Sequence, residues 1–198
     1  MRRFLLVVGV ILVGSFSAAQ ANAQDRLTVF GGYSYVHQNV TIIESPTSCP
    51  EGLILTCSPF TVNTGINFNG FNVSGTYHIS GPFGVTGQFT GNFGPADHGS
   101  AHLYTYLFGP EIRCHHEFSP FAHILLGGAH ESIGGTSNGF IVPTETANGF
   151  AMMAGGGLDI KIGKHIAFRP IAVDYLLFHS NGSNSNMPQV TSGFTLRY

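Results

Sequence analysis

The sequence predicts an all-β protein, an eight-stranded antiparallel up-and-down barrel whose strands span a membrane. Three observations favour this class. Glycine and proline account for 27 and 10 of the 198 residues, which disfavours long helices. Charged residues make up only 9% of the chain, whereas an ordinary soluble domain contains about 25%. Apolar and polar residues alternate with a period of two in eight separate segments.

The composition also excludes several classes of protein. A disordered chain is excluded because aromatic residues make up 12% of the sequence and charge is low. We expect no nucleic-acid partner, since a formal net charge of −2 leaves no basic surplus for phosphate contacts. The spacing of cysteine and histidine is not that of a zinc site, and Gly155–Gly157 lacks the Lys-Ser/Thr of a phosphate-binding loop. We therefore expect neither a metal nor a cofactor.

The first 23 residues have the pattern of a cleaved secretory signal peptide. Arg2 and Arg3 precede the apolar run Phe4–Gly14, and the triplet Ala21–Ala23 supplies a small-x-small cleavage site. The apolar run is too short to cross about 30 Å of hydrocarbon, which argues against a membrane anchor. We therefore expect residues 1–23 to be a signal peptide and residues 24–198 to form the barrel domain.

Export places the three cysteines in an oxidising compartment. Cys49 and Cys57 lie in one polar segment rich in Pro, Ser and Thr, where a disulfide between them would close a loop. The sequence leaves open whether the two are bonded. Cys114 is left over and is interpreted as a small apolar residue of a strand.

The alternation that predicts strands is clearest from Phe68 to Ile79. Aromatic and aliphatic residues occupy one face there, and Asn, Ser, Thr and His occupy the other. Residues 81–84 (Gly-Pro-Phe-Gly) predict a turn, and the alternation from Val85 to Phe93 completes a hairpin. The same pattern predicts six further strands, at Leu27–Val36, His102–Cys114, Phe121–Ile133, Gly149–Ile162, Ala167–Phe178 and Gln189–Tyr198.

The composition of the polar face predicts where the barrel lies. Asn, Thr, Ser, Gln and Gly dominate this face, whereas the outside of a soluble barrel is rich in Lys and Glu. Such a face suits a packed polar interior, with the apolar face towards lipid. Eight strands enclose an interior that side chains just fill, and closure removes sheet edges that lipid would not tolerate.

The lengths of the connections predict the orientation. Short connections at 81–84, 115–120 and 163–166 alternate with longer ones at 38–66, 95–101, 134–148 and 179–188. Membrane barrels have short periplasmic turns and longer outer loops. We therefore expect both chain termini on the periplasmic side and every long loop outside.

Six charged residues within the predicted strands form a candidate interior network. Three are acidic and three basic, and most lie on the polar face: Glu111, Arg113, Asp159, Lys161, Arg169 and Asp174. Ion pairing is expected, since unpaired charges in a tight interior are costly. Arg169 is out of phase with Asp174, and Pro170 marks a candidate bulge that would reset the register. A gated proton or ion path is the functional alternative.

The end of the chain carries a specific resemblance. Residues 191–198 (TSGFTLRY) fit the polar-x-Gly-x-x-apolar-x-aromatic ending of outer-membrane barrels, with Gly193, Leu196 and Tyr198 at the key positions. FGGYSY at 30–35 and YTYLFGP at 104–110 are similar to other strands of these proteins. The chain thus resembles the small outer-membrane β-barrel family, typified by the transmembrane domain of outer-membrane protein A.

This resemblance implies a location and partners. The protein would lie in the cell outer membrane, in contact with lipid and lipopolysaccharide, and the barrel assembly machinery would read its C-terminal signal. The resemblance covers the whole mature chain. We expect no C-terminal peptidoglycan-binding domain, so a tethering role is not implied.

We expect a non-enzymatic protein with a structural or surface-interaction role. Its contact surface would be the loops at 38–66 and 134–148, which would meet an extracellular ligand that the sequence does not identify. A small-solute pore is the alternative. A lipid A deacylase-like enzyme is a minor alternative, because that family separates its His and Ser by one residue. His179 and Ser180 are adjacent and point to opposite faces of a strand.

Overall fold

The computed structural model describes residues 26–44, 60–96, 99–114, 116–137, 140–180 and 182–198. The expected signal peptide and the pair Cys49 and Cys57 lie outside these residues. Eight antiparallel strands pair in chain order, and the last pairs with the first to close a barrel. They are β1 (Leu27–Glu44), β2 (Phe60–Ser80), β3 (Phe83–Ala96), β4 (Gly99–Arg113), β5 (Phe118–Ser137), β6 (Phe140–Lys161), β7 (Ile166–Ser180) and β8 (Ser183–Arg197). Among the described residues, no helix is long and apolar enough to cross a membrane.

The period of two along each strand separates the two faces of the wall. In β2, Ser74 and Thr76 are buried, while Val73 and Tyr77 are half exposed on the outside. Large apolar side chains exposed in this way surround the barrel, among them Tyr33, Phe71, Phe89, Tyr106, Phe108, Ile124, Leu126, Phe150, Ile171, Tyr175 and Phe194. The predicted fold class, the number of strands and the apolar outer face are therefore confirmed.

The two ends of the barrel differ. One end carries the turns at 81–82, 114–117 and 162–165. The first residue of β1 and the last residue of β8 lie at the same end. Leu27 N–H donates to the Tyr198 carbonyl at 2.9 Å, and Tyr198 N–H donates back to the Leu27 carbonyl at 2.8 Å. We call this the turn end. The opposite end, where β1–β2, β3–β4, β5–β6 and β7–β8 connect, is the hairpin end. The three short turns fall where the sequence predicts them.

At the hairpin end the strands are longer than expected. β1 and β2 stay paired as far as Glu44 and Phe60, and β5 and β6 as far as Ser137 and Phe140. The prediction of loops at 38–66, 134–148 and 179–188 is therefore wrong for the described parts of these ranges. In these paired segments the backbone ladder persists, although apolar and polar residues do not alternate in the sequence. The pattern that identifies a strand in lipid is then missing.

A bulge in β7 changes which residues face inwards. The pairing of β7 with β8 shifts register between Arg169 and Ala172. Ala167 and Arg169 are buried before the shift, and Ala172 and Asp174 are buried after it. Because proline lacks the N–H that a ladder needs, Pro170 suits this position. The predicted bulge is confirmed, and it brings Arg169 and Asp174 to the same interior.

Candidate functional site

A charge cluster fills the barrel near the turn end, and Asp159 lies at its centre. This carboxylate is completely buried. Arg113 Nη1 donates to Asp159 Oδ2, and Arg169 Nε donates to Asp159 Oδ1 at 2.7 Å. Arg197 Nη2 lies 3.8 Å from Asp159 Oδ2. Strands β4, β6, β7 and β8 thus meet at a single side chain.

The remaining members of the charge cluster are also paired. Arg113 Nε donates to Glu111 Oε1 at 2.9 Å, and Thr86 Oγ1 donates to Glu111 Oε2 at 2.8 Å. His123 Nε2 lies 2.9 Å from Asp174 Oδ1. We define the charge cluster as Glu111, Arg113, His123, Asp159, Arg169, Asp174 and Arg197. Its three carboxylates and three guanidiniums compensate one another, which a buried group of charges requires.

The structure places five of the six predicted network residues inside the barrel, and Lys161 is the exception. Lys161 is the last residue of β6, where the wall no longer encloses the inward face, and its side chain is exposed. Arg197 supplies the third guanidinium in its place. Arg197 lies on the polar, inward face of β8 and is not among the six predicted residues. Counting every charge on a polar face would have found it.

Two aromatic rings pack against the arginines of the charge cluster. The Arg169 guanidinium lies 4.0 Å from the centre of the Phe30 ring and 4.1 Å from that of Phe121. Arg113 lies 4.6 Å from the Phe121 ring centre. Stacking on aromatic faces favours cations that are withdrawn from water. The rings therefore fill the space between the charged side chains at the turn end.

The interior towards the hairpin end contains a large apolar cluster beside buried polar side chains such as Gln38, Asn92 and Glu131. The expectation of a polar interior is therefore corrected in part. Twelve side chains that are at most 4% exposed form one cluster, here called the apolar plug: Val36, Phe68, Ala101, Leu103, Leu107, Leu125, Ala129, Ala151, Met153, Leu176, Phe178 and Met187. The sequence carries a signal for it. Runs such as Ile124–Leu126 and Leu176–Phe178 are apolar on both faces of the strand, where an aqueous lumen would demand alternation.

Together the two layers fill the barrel along its axis. The apolar plug closes the half near the hairpins, and the charge cluster closes the half near the turns. Between them Gln189 Nε2 donates to Ser34 Oγ at 3.0 Å. A water-filled channel needs a polar lining, as in porins. In the described part of the chain, no group of three or more His, Cys, Asp or Glu side chains is placed to hold a metal ion.

The candidate enzyme residues at the end of β7 bind different partners. His179 Nδ1 lies 2.6 Å from Asn184 Oδ1. Ser180 Oγ donates to the carbonyl of Asn148 at 3.1 Å. Neither hydrogen bond joins the imidazole to the hydroxyl, and a serine nucleophile needs a base within such reach.

The three residues of the predicted assembly signal lie along β8 and just beyond it. Gly193 pairs with Gly32 where β8 meets β1, and a Cβ on either glycine would clash with the backbone of the other strand. Leu196 and Tyr198 face outwards, and Tyr198 is 50% exposed. The Tyr198 ring stacks on His165 with their centres 6.3 Å apart.

Cys114 follows β4 with its thiol free and exposed, so it is not a strand residue.

A closed eight-stranded barrel with an apolar, lipid-facing outer surface and a filled interior defines an integral membrane β-barrel. Residues 7–198 match the family model described as the outer membrane protein beta-barrel domain, and the chain belongs to this family. The protein is therefore an integral protein of the outer membrane. No curated protein matches the chain significantly.

Solved barrels of the outer membrane share the fold. Neisserial surface protein A is 10% identical with a TM-score of 0.61, over 87% of this chain and 97% of that one. The attachment invasion locus protein Ail of Yersinia pestis is 17% identical with a TM-score of 0.51, over 85% and 98%. OprG of Pseudomonas aeruginosa is 12% identical with a TM-score of 0.52, over 87% and 95%. In such barrels short turns face the periplasm, so the turn end is periplasmic and the hairpin end extracellular.

Proposed function

We propose that the protein is a non-enzymatic surface-interaction protein that works through its extracellular hairpins. The observation that carries this proposal is the length of the strands. A tilted transmembrane strand needs about 9–11 residues, whereas β1, β2, β5 and β6 contain 18, 21, 20 and 22. Their paired ends continue beyond the apolar plug as two β-hairpin ladders, which present a rigid backbone above the membrane.

The composition of these hairpins indicates the chemistry of the partner. Residues 38–44 (QNVTIIE) and 131–137 (ESIGGTS) combine β-branched, hydroxyl and amide side chains. No Lys or Arg occurs between Leu27 and Ile112, or between Cys114 and Ile160. The hairpins therefore suit a protein surface that offers hydrogen bonds and apolar contact, and they do not suit a polyanion.

The filled interior supports this role over that of a pore. A solute would have to displace the apolar plug and separate the ion pairs around Asp159, and breaking a buried pair is strongly unfavourable. The separate partners of His179 and Ser180 likewise favour a non-enzymatic role over that of a deacylase.

One of the solved barrels is named for attachment. Ail of Yersinia pestis is named the attachment invasion locus protein, and a second structure of it, with a TM-score of 0.53 and 17% identity over 86% and 99%, contains the heparin analogue sucrose octasulfate. A surface role for this chain is compatible with that fold. A sulfated ligand is not proposed here, because the extracellular hairpins contain no Lys or Arg to pair with sulfate.

Adhesion of cells that display the protein tests this function. A non-adherent bacterium producing the full chain should bind a cultured epithelial monolayer more strongly than the same bacterium with an empty vector. In a shortened variant, Asn-Gly turns replace residues 39–65 and 134–144, joining Gln38 to Ile66 and Ile133 to Glu145, which face each other in the ladders. This variant should lose the gain in adhesion.

The matched control is Lys164→Gln, an exposed change in a periplasmic turn. It should retain the gain at an equal amount of protein in the outer membrane. Adhesion of the shortened variant at the wild-type level, or no gain from the wild-type protein, would contradict a role for the hairpins.

A further inference from the structure

Four histidines on the outer face of the barrel form a belt near the hairpin end. They are His37 on β1, His102 on β4, His130 on β5 and His179 on β7, and we call them the histidine belt. Each is at least partly exposed. The other described histidines lie elsewhere: His78 and His123 are buried inside, and His116 and His165 lie in turns at the periplasmic end.

The four belt residues lie at one height along the barrel axis. Each is a sequence neighbour of a member of the apolar plug, because His37 follows Val36, His102 precedes Leu103, His130 follows Ala129 and His179 follows Phe178. Adjacent residues of a strand point to opposite faces of the wall. The belt is therefore the outer counterpart of the plug.

Each imidazole of the belt is oriented by a neighbouring side chain. Nδ1 of His37 lies 2.7 Å from Asn67 Oδ1, and its Nε2 lies 3.1 Å from Asn39 Oδ1. His102 Nε2 lies 3.2 Å from Ser100 Oγ. Nδ1 of His130 lies 2.6 Å from Asn148 Oδ1, and His179 uses Asn184 in the same way. An amide oxygen at Nδ1 keeps the proton on that nitrogen. In His130 and His179 this leaves Nε2 for a further partner.

The belt marks the upper rim of the lipid-facing surface. Tyr35, Tyr104 and Leu177 lie two residues closer to the membrane centre on the same outer face, and Phe150 pairs directly with His179. The rim at the periplasmic end is different, since Phe83, Phe118 and Tyr198 are at least half exposed there. The lipid headgroups of the outer leaflet therefore meet imidazole and amide groups, while those of the inner leaflet meet aromatic rings.

The basic side chains are also distributed asymmetrically between the two halves of the barrel. The described Lys and Arg residues, Arg26, Arg113, Lys161, Lys164, Arg169 and Arg197, all lie in the periplasmic half. Histidine is thus the basic side chain of the described extracellular half. Among the described side chains, the phenols of Tyr35 and Tyr104 lie beside the belt on the same outer face. Glu131, the neighbour of His130, points into the barrel and is 9% exposed.

We propose that the histidine belt binds the phosphate groups of the outer-leaflet glycolipid, and that acidification strengthens this contact. The protonated imidazoles of His130 and His179, each held by an asparagine at Nδ1, donate a charge-assisted hydrogen bond from Nε2 to a phosphate oxygen. The ligand is a lipid headgroup because the belt adjoins the surface that already contacts the acyl chains. The protein would then hold a shell of phosphorylated glycolipid around its rim.

Histidine NMR in micelles tests this inference with diphosphoryl lipid A as the probe. The refolded full chain, labelled at the imidazole carbons, is titrated with the lipid at about pH 5.5 and about pH 8. We expect about fivefold tighter binding at the lower pH, the effect of one cationic group beside an anionic headgroup. The variant H37Q/H102Q/H130Q/H179Q keeps side chains that hydrogen-bond to the asparagines and to Ser100, and it should lose the pH dependence.

The matched control is H116Q/H165Q, which removes two exposed histidines at the periplasmic end and should bind as the wild type does. Heat-shifted migration on gels verifies that every variant is folded. Retained pH dependence in the belt variant would overturn the proposal, as would equal binding of dephosphorylated lipid A. Equal shifts with inorganic phosphate at the same phosphate concentration would also overturn it, since the site would then recognise the free ion.

Discussion

Asp159 holds the charge cluster together because three arginines from three other strands converge on it. It accepts hydrogen bonds from Arg113 and Arg169 and lies within 3.8 Å of Arg197. Thr195 Oγ1 also donates to it, at 3.4 Å. The negative charge of Asp159 compensates the positive charge of the arginines. Without it, the remaining two carboxylates would face three guanidiniums in a space closed to water.

Replacing Asp159 by Asn therefore removes the compensating charge while keeping the shape of the side chain. We expect the free energy of unfolding to fall by about 3–5 kcal/mol, the usual cost of breaking a buried ion pair from one side. Urea unfolding of the refolded protein in detergent, followed by circular dichroism, measures this change.

Lys161→Gln is the matched control because Lys161 lies two residues further along β6 and is exposed. Its effect should stay within about 0.5 kcal/mol, as for other surface substitutions. Unfolding of Asp159→Asn at the wild-type urea concentration would show that the charge cluster contributes nothing to stability.

Strand β8 closes the barrel, and Tyr198 lies just beyond it with its ring facing outwards. Tyr198 lies at the periplasmic rim and is half exposed, so Tyr198→Ala forfeits only part of the roughly 1.5–3 kcal/mol of a fully buried ring. We propose that the assembly machinery reads this ring before closure. Tyr198→Ala should lower the amount of protein in the outer membrane of cells and still refold from urea into detergent.

Arg197→Ala separates this signal from the interior, because Arg197 is the inward-facing neighbour of Tyr198 and is 6% exposed. It should reduce insertion in cells less than Tyr198→Ala does. Immunoblots of outer-membrane fractions compare the two variants. Blocked insertion of Arg197→Ala together with normal insertion of Tyr198→Ala would mean that the assignment of the signal is wrong.

The strands show what alternation can and cannot predict. The number of strands and the facing of β2 follow from the pattern, because lipid on one side forces a period of two. Alternation does not predict the ladders from Val40 to Glu44 and from Phe140 to Glu145, because apolar and polar residues do not alternate there. The sequence pattern does not reveal the register between neighbouring strands either, except at Pro170, where the missing N–H marks the bulge.

The interior was predicted in part, and the two misses have physical causes. Glu111, Arg113 and Asp159 could be assigned to the polar face because their neighbours in sequence are apolar. Lys161 was misplaced because the pattern does not show where the wall ends. The apolar plug was not predicted because leucines such as Leu125 lie in runs without alternation. The side chain that each of them contacts across the interior also belongs to a distant part of the sequence.

At the scale of the whole molecule the barrel has a sealed axis and two unlike rims. A neutralised charge cluster closes the periplasmic half, an apolar plug closes the extracellular half, and the paired hairpins extend beyond it. Every described Lys and Arg lies towards the periplasm, and imidazole and amide groups ring the opposite side. This construction supports the proposed role of the outer surface and the hairpins.

Planar-bilayer conductance of the purified monomer distinguishes a sealed barrel from a pore. With the apolar plug and the charge cluster in place, we expect the current to remain at the level of the protein-free membrane over a wide range of voltage. A parallel sample must show heat-shifted migration on gels, so that a silent membrane reports a folded barrel. Large, stable conductance steps from the folded wild-type monomer would contradict the sealed interior and would make a small-solute pore the correct function.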